Sequence, residues 1–316
     1  MRKLRVAGAL AGLCLAAACS SPSAAVPAAA PESSSHPAAV TRVVPAAPTE
    51  ARATAVMRLP VPKVTISRVR TPDGSVVTVA TFRGPVQYVL HNGSEDPGPA
   101  AGLVRAGPAV GGAERKRLLA AFNGGFKLDA GAGGYEQEGH VISPLRWGLA
   151  SLVIDRSGQA RIGVWGHGVP APGEAVYSVR QNLQALVTNG QPTPAAADWG
   201  LWGATLGGGE YVARSAVGQD ASGDLVYAAS ISTTPADLAD ALARSGARIA
   251  MELDINPEWV QLDAARAPGG PLAAEVPGQN RPADQYLAGW TRDFFTVLAP
   301  SAGRPATPPV SRQFRP

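Results

Sequence analysis

The stretch Thr234-Pro-Ala-Asp-Leu-Ala-Asp-Ala-Leu-Ala-Arg-Ser-Gly-Ala-Arg-Ile-Ala-Met-Glu-Leu-Asp254 contains both kinds of secondary structure that define the fold. Thr234 has the side chain of a helix N-cap, Pro235 suits the first helical position, and Gly246 suits the residue after the last turn. Between them, apolar residues recur at the spacing of one helix face. We therefore predict a helix that begins after Thr234 and ends before Gly246, followed at once by a strand.

The predicted strand 248–254 alternates between two faces, because successive side chains of a strand point in opposite directions. Met251 and Leu253 are expected to face the core beneath the helix, which leaves Glu252 and Asp254 on the other face. Residues two apart on a strand lie roughly 6–7 Å apart at Cα. Two crowded carboxylates can acquire different pKa values and act as acid and base; the alternative is a pair salt-bridged to Arg248 or another arginine.

Hairpin signals surround this unit, each with Asp and Gly in the turn. The paired strands are predicted at Val64–Val69 and Val76–Phe82, at Leu149–Ile154 and Ala160–Trp165, and at Tyr211–Val217 and Leu225–Ile231. A shorter helix is predicted at about Ala113–Ala120 and a closing strand at Asp293–Leu298. The pattern predicts an α+β fold: a single domain of mixed, largely antiparallel β-sheet built from hairpins, with a few packed helices.

The first residues read as an export signal. A basic start precedes the apolar run 6–15, and small residues then lead to Cys19. An apolar run of this length is too short to span a membrane as a helix. We favour a lipoprotein signal over 1–18 with the lipid on Cys19; the alternative is an ordinary secretory signal cleaved nearby. Both predict an extracytoplasmic protein, lipid-anchored to the cell membrane in the first case and secreted in the second.

Composition divides the rest of the chain. Residues 19–55 and 301–316 are rich in Ala and Pro and have few large apolar side chains, so we predict a disordered linker and a disordered tail. Residues 56–300 are predicted to form the domain, which at about 240 residues can bury a hydrophobic core. Both cysteines of the chain, Cys14 and Cys19, precede it, so the domain has no disulfide and no thiolate metal site.

Charge and motifs exclude several function classes. The chain has 28 Lys and Arg against 24 Asp and Glu. Three of the basic residues belong to the leader, so the remainder is close to neutral and we predict no nucleic-acid partner. The histidines lack metal-ligand spacing, and the nucleophile elbow of serine hydrolases is missing from the sequence. No pattern requires a metal or a cofactor.

Other residues have side chains suited to ligand binding. Asn123-Gly-Gly-Phe126 forms a tight turn in which glycines allow close approach of the backbone and the amide both donates and accepts. Arg214 carries a planar guanidinium that fits phosphate or carboxylate. Trp202 and Trp259 offer aromatic faces that can pack against sugar rings, although tryptophans more often fill cores. From the residues alone, a plain turn and a structural arginine remain alternatives.

In their order along the chain, these elements resemble the phosphodiester glycosidase family, which includes the enzyme that uncovers mannose 6-phosphate by removing N-acetylglucosamine. The resemblance spans about 120–260. It rests on Ala120–Phe126, Trp147–Gly158, Gln184–Gly190, Ala213–Asp220 and Leu253-Asp254.

The resemblance implies a hydrolase that acts on the glycosyl bond of a sugar phosphodiester, and we expect its substrate in cell-envelope glycopolymer. It implies a site formed by Asn123, Arg214 and Asp254, to which the strand geometry adds Glu252 as a fourth catalytic candidate. The residues expected to contact the glycan or sugar-phosphodiester substrate are Gly124, Gly125, Asn256, Asn189, Trp202 and Trp259. We expect the protein to contact the membrane only through its N-terminal lipid anchor.

The chain departs from the family directly after Asp254. The family continues with a glycine pair and serines, whereas this chain reads Ile255-Asn256-Pro257-Glu258. Side chains here occupy positions where bare backbone could approach a substrate. The alternatives are therefore a non-catalytic envelope glycan-binding lipoprotein on the same fold, and a secreted structural domain without a ligand.

Overall fold

The computed structural model describes residues 63–97 and 104–301. The strands are, in chain order, β1 Val64–Arg70, β2 Val76–Phe82, β3 Gln87–His91, β4 Leu118–Asn123, β5 Tyr135–Gln137, β6 His140–Ser143, β7 Ala150–Ile154, β8 Ala160–Trp165, β9 Gly168–Val169, β10 Ser178–Gln181, β11 Ala185–Thr188, β12 Gln191–Pro192, β13 Val212–Asp220, β14 Leu225–Thr233, β15 Ala247–Glu252, β16 Leu262–Ala265, β17 Leu272–Ala274 and β18 Phe294–Leu298. The α-helices are α1 Gly112–Arg115, α2 Pro235–Arg244 and α3 Gln285–Ala288. The predicted leader, Cys19 and the linker lie outside the described residues, as does the tail beyond 301.

The strands form three sheets. Their spatial orders are β1-β2-β14-β13-β15-β11-β12, β6-β5-β10-β7-β8-β9 and β17-β16-β4-β18-β3. Pairing is predominantly antiparallel, as on both sides of β13, and β8 with β9 is a parallel pair. Together with the few short helices, this arrangement confirms the predicted α+β fold of hairpins and largely antiparallel sheets.

The three predicted hairpins are present as β1–β2, β7–β8 and β13–β14. Each turn has an aspartate whose carboxylate accepts the backbone N–H two residues later, followed by a glycine in the left-handed region. These pairs are Asp73 and Gly74 (φ 95°), Asp155 and Gly158 (φ 84°), and Asp220 and Gly223 (φ 87°). The turn residues therefore set the connections, as their chemistry predicts.

The predicted helix at 113–120 is wrong. Helix α1 ends at Arg115, and Leu118–Asn123 forms β4, whose six residues are all buried. Strand β4 lies between β16 and β18 in the middle of its sheet. A strand covered on both faces reads as a continuous apolar run, and its pairing with two neighbours overrides the helix propensity of leucine and alanine.

Helix α2 begins and ends as predicted, and the Thr234 hydroxyl caps it by accepting the Asp237 N–H over 3.1 Å. Its position on β15 differs from the prediction. The face of β15 that carries Ala250 packs with α2, whereas Met251 and Leu253 face the larger core between the sheets. From Ala250 to Glu252 the strand β15 is buried on both faces, and the small Ala250 side chain leaves room for the helix.

None of the helices formed by residues 63–97 and 104–301 has the length and apolar character needed to cross a membrane.

Candidate active site

Asp254 lies just past the C-terminal end of β15, where pairing with β13 continues through Ser215. The Leu253 N–H donates to the Ser215 carbonyl oxygen over 2.8 Å, and the Ser215 N–H donates to the Asp254 carbonyl oxygen over 2.9 Å. The Ser215 hydroxyl also contacts both the N–H and the carbonyl oxygen of Asp254, each at 3.1 Å. The neighbouring strand therefore fixes the Asp254 backbone at the point where the sheet gives way to a loop.

The Asp254 carboxylate is held on both oxygens. Oδ1 accepts the backbone N–H groups of Ile255 and Asn256, over 2.7 and 2.9 Å. Oδ2 forms an ion pair with the Arg292 guanidinium, which also donates to the Gly125 carbonyl oxygen over 2.9 Å. Burial raises the pKa of Asp254, and Arg292 opposes that shift. A carboxylate so oriented is a candidate base or nucleophile.

Asn123 uses its whole carboxamide to join three segments. Its Nδ2 donates to the Ser215 hydroxyl over 2.8 Å and to the Gly124 carbonyl oxygen over 2.9 Å. Its Oδ1 accepts the Tyr227 hydroxyl over 2.8 Å and the Gln261 N–H over 3.2 Å. Asn123 is thus placed beside Asp254, as predicted, but it acts through Ser215, and its amide is fully occupied by protein groups.

Gly124 and Gly125 lie against a second buried ion pair, between Arg180 and Asp293. The Arg180 Nε and Asp293 Oδ2 atoms are 2.7 Å apart, and both side chains are 1% exposed. A Cβ on Gly124 would lie 1.9 Å from Asp293 Oδ2, and one on Gly125 would lie 2.9 Å from Arg180 Cζ. These contacts require the two glycines whether or not a ligand approaches.

Three residues next to Asp254 and the glycine pair were not predicted from the sequence: Arg292, Asp293 and Arg180. A signal was present, since Arg292-Asp293 directly precedes the apolar closing strand and Arg180 lies within a polar run between apolar segments. Their partners are far away in sequence, because Arg292 pairs with a residue 38 positions earlier and Arg180 with one 113 positions later. Such pairing follows from sheet topology rather than from local pattern.

The predicted Arg214 and Glu252 lie together, but apart from the Asp254 ion pair. Arg214 Nη1 is 2.9 Å from Glu252 Oε1, and both side chains are 0% exposed. Arg214 also donates to the carbonyl oxygens of Trp202 and Thr233, over 3.2 and 3.3 Å. Burial raises the pKa of Glu252 to about 8, Arg214 opposes the shift, and the nearby Asp254 adds to it. Glu252 therefore faces the core beside α2 rather than an open cleft.

Two of the predicted substrate-contacting residues lie near Asp254. Asn256 supplies a backbone N–H to the carboxylate, while its side-chain oxygen accepts the Glu258 N–H over 3.0 Å. The Trp259 ring has the Arg292 guanidinium carbon 5.9 Å from its centroid. Asn256 and Trp259 lie near Asp254 because they belong to the turn that follows it in the chain.

Two others do not reach the site. Trp202 is 0% exposed in the core beneath α2, and its indole N–H donates to the Ala195 carbonyl oxygen over 2.8 Å. Asn189 lies in the β11–β12 turn, whose Gly190 bonds to Arg248 near the start of β15. That turn is roughly 20 Å of strand away from Asp254. A core role for Trp202 and a turn role for Asn189 replace the predicted contacts.

The described part of the chain contains no group of three or more His, Cys, Asp or Glu side chains that could hold a metal ion. The carboxylates nearest the site are instead paired with guanidinium groups, as in Arg292–Asp254 and Arg180–Asp293. The groups that meet at this site are carboxylates, arginines and backbone amides.

Comparisons with known proteins give a family match and structural matches. Residues 116–254 match the family model described as phosphodiester glycosidase. One similar solved structure is the catalytic domain of zebrafish N-acetylglucosamine-1-phosphodiester alpha-N-acetylglucosaminidase, auto-inhibited by its pro-peptide, with 16% identity, a TM-score of 0.46, and coverage of 74% of this chain and 81% of that one. Another is a hypothetical protein from Synechocystis, with 15% identity, a TM-score of 0.44, and coverage of 74% and 61%. A comparison with curated proteins finds no match.

The family match begins just before β4 and ends at Asp254. It therefore includes Asn123 and Ser215 with the carboxylate that they position. The order of elements within it is the one on which the sequence resemblance rests. Residues 116–254 of this chain are similar to the phosphodiester glycosidase family, and this match supports hydrolase activity on a glycosyl bond.

Proposed function

We propose that this protein is an exported lipoprotein that releases a sugar from phosphodiester-linked glycopolymer of the cell envelope, with Asp254 as its reacting carboxylate. The observation that carries the proposal is the Asp254 carboxylate itself. It closes the segment matched by the family, is oriented by two backbone N–H groups, and faces the Arg292 guanidinium.

The reaction breaks the bond between the anomeric carbon of the sugar and a phosphate oxygen. Water adds to the anomeric carbon, and the phosphate leaves as a monoester on the remaining polymer. A phosphate whose charge is neutralised is a good leaving group, so the demand for a strong general acid is smaller than in ordinary glycoside hydrolysis. Asp254 either takes a proton from the attacking water or attacks the anomeric carbon first. The raised pKa of Asp254 makes its carboxylate a stronger base than that of an exposed aspartate.

The phosphate requires a cation close to that carboxylate. Arg214 was the sequence candidate, but it is committed to Glu252 and to two carbonyl oxygens in the core. Arg292 already contacts Asp254 and lies 3.7 Å from Asp96. In the proposed reaction, Arg292 turns part of its guanidinium from Asp254 to the phosphate, which frees one carboxylate oxygen for chemistry.

A non-catalytic glycan-binding lipoprotein is the second candidate, and one observation favours it. Asp254 is only 4% exposed, both of its oxygens are bonded, and Ile255 and Asn256 replace the glycine pair of the family. A site that keeps this closed ion pair would bind glycan and leave it intact.

The discriminating experiment uses the full-length chain with an N-acetylglucosamine 1-phosphodiester, chosen because the family resemblance names that sugar. Free sugar is measured by chromatography, and binding is measured by calorimetry on the same preparation. Release of sugar supports hydrolysis. Binding without release contradicts the proposed reaction and supports the second candidate.

Export and anchoring rest on the sequence of the leader. We expect Cys19→Ala to move the protein from the membrane fraction to the soluble one and to abolish incorporation of labelled lipid. A Ser20→Ala variant is the matched control and should remain in the membrane fraction. Membrane retention of the Cys19→Ala protein would contradict the lipid anchor.

A further inference from the structure

Two tryptophans and an arginine, Trp259, Arg281 and Trp290, form a cluster that we call the rim cluster. The two indole centroids are 5.7 Å apart, with 55° between the ring planes. The Arg281 guanidinium carbon lies 4.5 Å from the Trp259 centroid and 4.1 Å from the Trp290 centroid. Trp290 remains 48% exposed. The cluster therefore presents an aromatic surface beside a positive charge.

Arg281 is held in this position before any ligand arrives. Its Nη2 is 2.7 Å from Glu258 Oε2, and its Nε donates to the Glu258 carbonyl oxygen over 3.1 Å. The Gln279 side chain donates to the Arg281 carbonyl oxygen, and the Gln261 side chain donates to that of Pro282, each over 3.1 Å. A preformed guanidinium loses little conformational entropy on binding.

The rim cluster is built from the two segments that carry the Asp254 ion pair. Trp259 follows Asp254 in a turn closed by its own N–H and the Asn256 carbonyl oxygen, over 2.9 Å. Trp290 precedes Arg292 by two residues, and the Arg292 guanidinium carbon is 5.9 Å from the Trp259 centroid. A ligand on the rim cluster would therefore be next to the buried carboxylate.

Aromatic rings pack against the apolar faces of sugars, and guanidinium groups bind phosphate. A chain of sugars joined by phosphodiesters presents these two features in alternation. We propose that the rim cluster binds a second sugar-phosphate unit, next to the one cleaved at Asp254, with the sugar ring on Trp290 and the phosphate at Arg281. This inference rests on the proposed function, and it assigns the enzyme to polymeric rather than monomeric phosphodiesters.

The chain offers a matched control at Trp147. This residue is 74% exposed, and its ring centroid lies 6.4 Å from that of His167, with the two rings edge-on. It lies before β7 in a different sheet from the strand that follows Trp290. Trp147→Ala removes an exposed indole of the same size without touching the rim cluster.

The experiment compares two probes on the full-length chain, the methyl phosphodiester of N-acetylglucosamine 1-phosphate and a short oligomer of phosphodiester-linked N-acetylglucosamine. The measured quantity is the ratio of kcat/KM for the oligomer to kcat/KM for the monomer. We expect Trp290→Ala to lower this ratio roughly 5- to 10-fold and Trp147→Ala to leave it unchanged. Arg281→Gln should lower the ratio too and should weaken its dependence on salt.

Trp290→Phe keeps an aromatic face and should restore most of the ratio, which separates stacking from a general loss of folding. An unchanged ratio in Trp290→Ala would overturn the inference while sugar release by the native chain still supports the proposed function. Oligomer binding without sugar release, weakened by Trp290→Ala, would support the rim cluster and contradict hydrolysis. A native chain that neither binds nor cleaves the oligomer would overturn the inference.

Discussion

Two buried pairs of an arginine and a carboxyl group at the end of β15, Arg214–Glu252 and Arg292–Asp254, contain the same kinds of side chain in different surroundings. Glu252 lies within the strand and is covered by the core beneath α2, where Arg214 is its cation. Asp254 lies two residues further, beyond the strand, where it is held by loop backbone and by an arginine that precedes β18. The two pairs therefore differ because Glu252 lies within β15, whereas Asp254 lies in the loop that follows it.

The difference bears on which pair can do chemistry. Moving Glu252 or Arg214 would disturb the packing of a helix on a sheet, which a closely packed interior resists. The partners of Asp254 come from loop segments, and catalytic residues are commonly found on loops held by a rigid scaffold. We therefore propose that the Arg214–Glu252 pair serves stability and that the Arg292–Asp254 pair is the reactive one.

The largest expected effect is on turnover. Asp254→Asn keeps the shape and the acceptor for the Ile255 and Asn256 N–H groups but removes the basic, nucleophilic oxygen. We expect kcat to fall roughly 10²- to 10⁴-fold, with little change in substrate binding. The measurement is sugar release at saturating substrate, paired with calorimetric binding.

Asp240→Asn is the control for that variant, since Asp240 is a half-buried aspartate on α2, paired with Arg244. It should retain full turnover. Sugar release by Asp254→Asn at the native rate would contradict the reactive role of Asp254 and the proposed functional difference between the two pairs.

The second comparison exchanges the two arginines for methionine, which has a similar length. Arg214→Met strips the donors from Glu252 and from the carbonyl oxygens of Trp202 and Thr233, and we expect a loss of about 3–5 kcal/mol in the free energy of unfolding. Arg292→Met leaves Asp254 its two backbone donors, so we expect a smaller loss of about 1–3 kcal/mol. Urea denaturation at pH 9, above the pKa of Glu252, measures both. Equal losses would contradict the assignment of stability to one pair.

Much of the fold follows from local pattern in the sequence. Turn chemistry located the hairpins, and the cap at Thr234 located α2. The failures are non-local. Residues 113–120 read as a helix because leucine and alanine favour helices in isolation, but β4 is fixed by its two neighbouring strands. The division of the β15 residues between its two faces was predicted correctly. Helix α2 packs on the face opposite to the predicted one, because alternation does not show which face a helix covers when both faces are buried.

The site was predicted in part for the same reason. Asn123 and Asp254 belong to segments with a recognisable order, so the sequence could bring them together. Arg292 became visible only once β18 was paired beside β4. Arg214 was predicted to share a site with Asp254, whereas its guanidinium pairs with Glu252, because which carboxyl group it meets depends on where the strand ends.

A third prediction tests the packing beside the reactive pair. A methyl group at Gly124 would collide with Asp293, whereas one at Gly209 would meet no atom within 4 Å. We expect Gly124→Ala to cost about 1–3 kcal/mol in the free energy of unfolding and Gly209→Ala to be nearly neutral. Chemical denaturation of both variants checks this. A neutral Gly124→Ala would mean that the Arg180–Asp293 pair can shift freely, and the site would be less rigid than the geometry indicates.

The last prediction concerns the pH dependence of stability, which reports the protonation of Glu252 within its pair with Arg214. The pKa of Glu252 is about 8 in the folded protein against 4.5 for the free side chain, because burial disfavours the charge more than Arg214 favours it. The folded state therefore holds a proton that the unfolded state has lost between about pH 4.5 and 8. In that window this group lowers the free energy of unfolding as pH rises, by up to about 1.4 kcal/mol per pH unit.

The Glu252→Gln variant has no titrating group at this position, so its free energy of unfolding should lack this pH-dependent contribution. Asp263, whose pKa burial also raises to about 8, titrates in both proteins and cancels in the comparison. We expect the native protein to lose stability relative to Glu252→Gln as pH rises through the window, and the two curves to run parallel above about pH 8. Urea denaturation at a series of pH values measures the difference. Curves that are parallel throughout would show that Glu252 is ionised in the fold, so that attraction to Arg214 outweighs burial.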